Sequence, residues 1–195
     1  MDRIAKFIFE VGMLKKTPRT GYQFLGRGSE NVAAHSFRAT MIAYVLAKLD
    51  GQADVWRTVA LTLVHDLAEA RTADHNYVNR RYVRVDEDRA TADQLDGLPF
   101  GPELAQFKAE FEASQTREAR LARDADQLDL IFELKEHHDL SNRYALRWID
   151  SAAQRLQTPE AKRLARQALE TDWTSWWFKE GDRWWVEGCF QREEK

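Results

Sequence analysis

Apolar residues return at every third or fourth position in segment after segment of this chain, and that spacing leaves room for little but helices. Ile4, Phe7, Ile8, Val11 and Leu14 make the first stripe. Lys15-Lys16-Thr17-Pro18 closes it, because proline disfavours helix in the residue before it. After a loop over 19–28, Ser29 is the predicted N-cap of a helix reaching about Leu49. Val32, His35, Ala39, Ile42, Leu46 and Leu49 point inward there, and Asp50-Gly51 is the stop. Another helix is expected over 53–71, with Val55, Val59, Leu63 and Leu67 along its apolar face. Residues 72–84 read as a loop with a short helix, and 87–95, 102–112 and 116–136 as helices. The stretch 142–178 divides near Thr158-Pro159. Four prolines and nine glycines in 195 residues are too few for a turn-rich sheet protein. The expected fold is all-α, a single-domain helical bundle.

Several classes are set aside at this level. No apolar run approaches the ~18 residues of a membrane-spanning helix, so no membrane partner is expected. The start, Met1-Asp2-Arg3-Ile4-Ala5-Lys6, lacks the apolar stretch of a signal peptide. Cys189 is the single cysteine, which rules out an internal disulfide framework, and a cytoplasmic location is the simplest expectation. A net charge of -3 argues against broad binding of nucleic acid, while leaving room for a small anionic ligand.

The candidate chemistry lies in four separated fragments: His35, the doublet His65-Asp66, Glu69, and Asp126. Two histidines and two aspartates are a suitable four-ligand set for a divalent cation. A lone histidine on an apolar stripe, as at His35, is more often a packed core residue. Asp66 weakens that bland reading, because an aspartate beside an inward histidine is rarely buried without something to offset its desolvation. Glu69 follows His65 by four residues and is expected on the same helix edge. Asp126 stands between Ala122 and Leu130, again bordering an apolar face. Other motifs fail. Asp124-Ala125-Asp126-Gln127-Leu128-Asp129 lacks the glycine of a calcium loop, and Gly26-Arg27-Gly28 lacks the third glycine of a dinucleotide fingerprint.

Taken in order, Glu30-Asn31-Val32-Ala33-Ala34-His35-Ser36, Val64-His65-Asp66-Leu67-Ala68-Glu69 and Asp124-Ala125-Asp126-Gln127-Leu128 resemble the HD-domain phosphohydrolases, and most of all their 5′-deoxynucleotidase branch. Arg19-Thr20-Gly21 upstream and Thr72-Ala73-Asp74 downstream make the match specific. The resemblance implies one HD domain over 1–195, with 160–195 a Trp-rich extension packing on the domain or on a dimer partner. It implies a metal site of His35, His65, Asp66 and Asp126, Glu69 near the attacking water, Arg19 on the phosphate and Asp74 on a sugar hydroxyl. Tyr22 stands where relatives often carry Trp beside the deoxyribose, and Ala34 where they often carry Glu or Asp.

The implied reaction is hydrolysis of nucleoside 5′-monophosphates, preferentially deoxy, by a cytoplasmic homodimer. The cofactor is one divalent ion; the His2Asp2 set suits Mn²⁺, Co²⁺, Fe²⁺ or Zn²⁺, with Mg²⁺ also open. The alternatives are another phosphate ester as substrate, or a nucleotide-binding regulatory protein with weakened catalysis. His137-His138-Asp139 is read as a helix end before a second metal site. Arg80-Arg81-Tyr82-Val83-Arg84 is either a substrate lid or a solvated basic face. Trp173, Trp176 and Trp177, with Trp184 and Trp185, are expected to pack on the domain or at an interface.

Overall fold

In the computed structural model, which describes residues 1–26, 30–181 and 183, helices follow one another without a strand. An isolated bridge between Pro18 and Asn31 is the single extended pairing among the described residues. The helices are α1 (Asp2–Val11), α2 (Val32–Asp50), α3 (Val55–Val64), α4 (Glu69–Thr72), α5 (Glu87–Leu95), α6 (Gly101–Ala113), α7 (Arg117–Asp139), α8 (Ala145–Ala153) and α9 (Pro159–Glu170). A 3-10 turn over Gly12–Lys15 extends α1, and another covers Thr20–Leu25. No helix among the described residues is long and apolar enough to cross a membrane.

The all-α expectation holds, with local corrections. Asn31, not Ser29, caps α2: its side-chain Oδ1 accepts from Ala34 N at 3.0 Å. Ser29 itself lies outside the described residues. The expected helix over 53–71 is broken, since α3 stops at Val64 and His65–Ala68 form a turn before α4. The buried face of α3 carries Thr58, Leu61, Thr62 and Val64, while Leu63 is exposed. Leu49, expected inward at the end of α2, is also exposed.

α2 and α7 run through the centre. Ile42, Ala43 and Leu46 from α2 meet Leu121, Ala125, Leu128, Ile131 and Leu134 from α7, and α8 and α9 close the layer with Ala145, Ile149, Ala161 and Ala165. The small alanines let α8 and α9 lie close to α7, where longer side chains would hold the helices apart. Asp124 fixes that corner. Although fully buried, it accepts from Gln157 N, Thr158 N and Thr158 Oγ1 at 2.8, 2.7 and 2.6 Å, which seats the start of α9.

Ala34 occupies the third residue of α2 and is exposed. In a capping box, a Glu at that position reaches back to the N-cap amide. Its absence therefore alters the helix start, at a solvent-facing position. Ala34→Glu is expected to raise stability by about 0.5–1 kcal/mol, read as a higher unfolding midpoint, while leaving turnover within twofold.

Candidate metal and phosphate site

The break between α3 and α4 builds the site. Within 64–70 the backbone uses i→i+3 bonds, Leu67 N to Val64 O, Glu69 N to Asp66 O and Ala70 N to Leu67 O. Two buried side chains from neighbouring helices satisfy carbonyls of this turn. Lys108 Nζ of α6 donates to His65 O at 3.4 Å, and Gln94 Nε2 of α5 donates to Leu67 O at 3.0 Å. Without Lys108 the turn would leave the His65 carbonyl unpaired, at a cost of about 1–3 kcal/mol, whereas Gln94 adds a second bond to a Leu67 carbonyl that already accepts from Ala70 N.

The turn brings His65 and Asp66 to His35 of α2 and Asp126 of α7. His35 Nε2 lies 3.3 Å from His65 Nε2, 3.5 Å from Asp66 Oδ2 and 3.3 Å from Asp126 Oδ1. His65 Nε2 lies 3.0 Å from Asp66 Oδ2 and 3.9 Å from Asp126 Oδ1. The far ring nitrogens face acceptors: His35 Nδ1 meets Asp129 Oδ2 at 2.5 Å, and His65 Nδ1 meets Thr62 O at 2.6 Å. A carboxylate and a carbonyl can only accept, so each Nδ1 carries a proton, and around a bound cation each Nε2 would turn its lone pair toward the ion. Two lone pairs and two carboxylates aimed at one point need positive charge between them.

The spacing fits a cation. Ligand atoms at roughly 2.0–2.2 Å from a tetrahedral ion stand about 3.3–3.6 Å apart, and neighbours around an octahedral ion about 3.0 Å. The five separations above span 3.0–3.9 Å. Asp66 Oδ2 and Glu69 Oε2 are buried and receive no hydrogen bond, the state of oxygens kept for something other than the protein. The electrostatics agree. Burial and Arg19 disfavour charge on His35, yet its bonds to Asp126 and Asp129 outweigh them and lift its pKa to about 10, so without a cation the ring takes up a proton at Nε2. Burial likewise opposes ionisation of Asp66 and Asp126, but the histidines and Arg19 hold Asp66 at about 2 and Asp126 lower still. Glu69 is pushed up to about 9 by burial and by the charges of Asp66 and Asp74.

Arg19, at the head of the Thr20–Leu25 turn, places Nη1 3.6 Å from Asp66 Oδ2 and Nε 3.9 Å from Glu30. Asp74 Oδ2 accepts from Thr20 N, and Asp74 O accepts from Thr20 Oγ1, both at 2.8 Å. The turn that delivers Asp74 runs through Ala73 at φ 61 and ψ 161, a region that costs a non-glycine residue about 1–3 kcal/mol and that recurs at functional sites. Tyr22 is buried against His137, ring centroids 5.6 Å apart. Arg19, Tyr22 and Asp74 share a cavity of about 530 Å³ that Arg147, Trp148, Ser151 and Arg155 also line.

All eight residues singled out in the sequence therefore meet at one place, though the edge shared by His65, Asp66 and Glu69 is a turn and not a continuous helix. Missed from the sequence were Asp129 and Arg38, three residues beyond Asp126 and His35 on their helices. Arg38 donates to Asp129, Glu133 and Glu136, and through Asp129 it holds the His35 ring. The repeated three-residue step was the available signal. The α8 wall was missed as well, although Arg147, Ser151 and Arg155 recur every four residues. His137 and His138 sit in the last turn of α7, His137 Nε2 3.6 Å from Glu133. Arg80, Arg81 and Arg84 are exposed. Trp173, Trp176 and Trp177 pack on one another after α9, whereas Trp184, Trp185 and Cys189 lie outside the described residues.

Known proteins match this arrangement. The HD domain family matches residues 11–167. The chain is 29% identical over 177 residues to the 5′-deoxynucleotidase HDDC2 of Mus musculus, covering 87% of each. It is 30% identical over 189 residues to the 5′-deoxynucleotidase HDDC2 of Dictyostelium discoideum, covering 88% of this chain and 99% of that one. A crystal structure from genomics work superposes with a TM-score of 0.75 at 37% identity, covering 91% of this chain and 100% of the other. With the family matched over most of its length and its ordered His, His-Asp and Asp residues gathered at one point, the chain belongs to the HD-domain phosphohydrolases, in their 5′-deoxynucleotidase branch.

Proposed function

We propose that the protein hydrolyses nucleoside 5′-monophosphates, preferentially deoxy, to nucleoside and phosphate, using one divalent cation held by His35, His65, Asp66 and Asp126. The observation that carries this reading is the convergence of those Nε2 and carboxylate oxygens beside an arginine-lined cavity of about 530 Å³. That volume lies within the roughly 300–1,000 Å³ of small-molecule sites. When bound, the cation supplies charge stabilisation and an acidified water.

The chain's own groups do the rest. Arg19 offers a planar fork to the phosphate and stays charged, since Asp66, Asp126 and Asp74 more than offset the burial that opposes it. Glu69, whose Oε2 has no protein partner, accepts the proton of the attacking water. Asp74 has one oxygen on Thr20 N and keeps the other for a sugar hydroxyl. Tyr22 walls the sugar side of the cavity. Mn²⁺, Co²⁺, Fe²⁺, Zn²⁺ and Mg²⁺ all suit these donors.

The deciding experiment is a phosphate-release panel of nucleoside mono-, di- and triphosphates, deoxy and ribo, with each metal in turn. Release confined to 5′-monophosphates supports the reading. Tight nucleotide binding without release under every metal would replace it with a regulatory binding role.

We further infer a cytoplasmic homodimer built on one HD domain over 1–195, with 160–195 as its Trp-rich extension. For the dimer, the outward side of α2 carries exposed Phe37, Met41 and Tyr44, with Trp56 of α3 beside Tyr44. Contiguous apolar patches of that kind are unusual on monomers. Phe37→Glu combined with Trp56→Glu is expected to halve the mass seen by light scattering while the helical circular dichroism stays unchanged. An unchanged mass would remove this face from the interface.

A further inference from the structure

We propose that Arg155 is a second phosphate-binding residue, and that Gln127 is the positioning residue that ties it to the metal ligand Asp126. The proposal rests on the nucleotidase reading above and adds to it a second arginine in the cavity that Arg19 lines. Arg155 stands just past α8, on the face that Arg147, Trp148 and Ser151 present to the cavity. Its Nε donates to Gln127 Oε1 at 2.5 Å, and Gln127 Nε2 donates to Asp126 Oδ2 at 2.7 Å. The amide can sit only one way round: its oxygen must meet the guanidinium and its nitrogen the carboxylate. With Oδ2 occupied in this way, Asp126 is left with Oδ1 turned toward His35 Nε2, 3.3 Å away.

The bond to Gln127 uses one edge of the guanidinium. Neither terminal nitrogen of Arg155 has a partner among the described residues, and the residue lines the same cavity as Arg19. Each arginine thus leans on a different carboxylate of the ligand set. Arg19 approaches Asp66 directly at 3.6 Å, and Arg155 approaches Asp126 through Gln127. A phosphomonoester dianion has three terminal oxygens. One faces the cation and each of the other two can take an arginine fork, the geometry in which arginine outperforms lysine.

The test uses the full-length, metal-loaded protein and inorganic phosphate as the probe, with metal affinity measured separately by chelator competition. Arg155→Met is expected to weaken phosphate binding and raise KM for a 5′-monophosphate by about 10-fold or more, with metal affinity within threefold of wild type. Arg155→Lys should recover part of the loss. Gln127→Met should instead lower metal affinity by about 10-fold or more, as loss of an outer-shell partner does. If Arg155→Met leaves phosphate affinity within twofold, or lowers metal affinity as Gln127→Met does, Arg155 is only a structural support and the proposal is overturned. A wild-type protein that binds phosphate but cleaves no nucleotide fails the nucleotidase reading alone, and the variant comparison still decides Arg155. No phosphate binding under any metal overturns both.

Discussion

His35→Ala is expected to lose bound metal and phosphate release together. The His35 ring touches every other member of the cluster through Nε2 and is held from behind by Asp129, so removing it leaves His65 as the one nitrogen shared by Asp66 and Asp126. Loss of an outer-shell partner alone costs about 10–100-fold in metal affinity, and loss of the ligand should exceed that. A cation worth several kcal/mol in the transition state corresponds to a fall in rate of about 10³-fold or more. Thermal unfolding gives a reading that does not depend on catalysis. A metal present at about 100 times its Kd stabilises the folded state by about 2.7 kcal/mol, or roughly 5–11 °C for a chain of this size. Chelator should lower the unfolding midpoint of the wild type by that order and leave His35→Ala unmoved. A chelator shift that survived the substitution would exclude His35 as a ligand.

Glu69→Gln separates chemistry from metal binding. Glu69 lies on the first turn of α4 with a buried oxygen that no protein group satisfies. The amide keeps the volume and removes the base. Turnover should fall by about 10²–10⁴-fold while metal content and the chelator-induced change in midpoint remain as in the wild type. Undiminished turnover would assign the proton transfer elsewhere. The raised pKa of Glu69 comes first from burial and then from the neighbouring charges of Asp66 and Asp74. Positive charge placed among these three acids favours ionised Glu69, which is the form that can accept a proton.

Helix class and the proposed ligand set were legible in the sequence for a common reason. The apolar period of α2 and α7 decides which side of each helix is buried, and His35 and Asp126 sit on or beside that side. Periodicity failed at α3. A stripe through Val55, Val59, Leu63 and Leu67 has helical spacing, but Leu63 is exposed and the inward face is Thr58, Leu61 and Thr62. The helix ends there because Lys108 and Gln94, distant in sequence, satisfy the carbonyls of His65 and Leu67 that further helix would have used. No local propensity encodes that. Ala34 is a parallel case: seen as a departure next to a ligand, it lies in space at a solvent-facing capping position.

By itself, then, the sequence determined that the chain is helical and which side chains are offered as metal donors in the proposed function, because residue type and period are local properties. The tertiary structure alone decided that His65 and Asp66 stand on a turn, that Asp129 and Thr62 fix both imidazoles through Nδ1 with Nε2 turned inward, and that Arg155 lines the same cavity as Arg19. Those outcomes depend on hydrogen bonds between residues up to 94 positions apart, as from His35 to Asp129. Such bonds form only once the packed core has brought α2, α3 and α7 together.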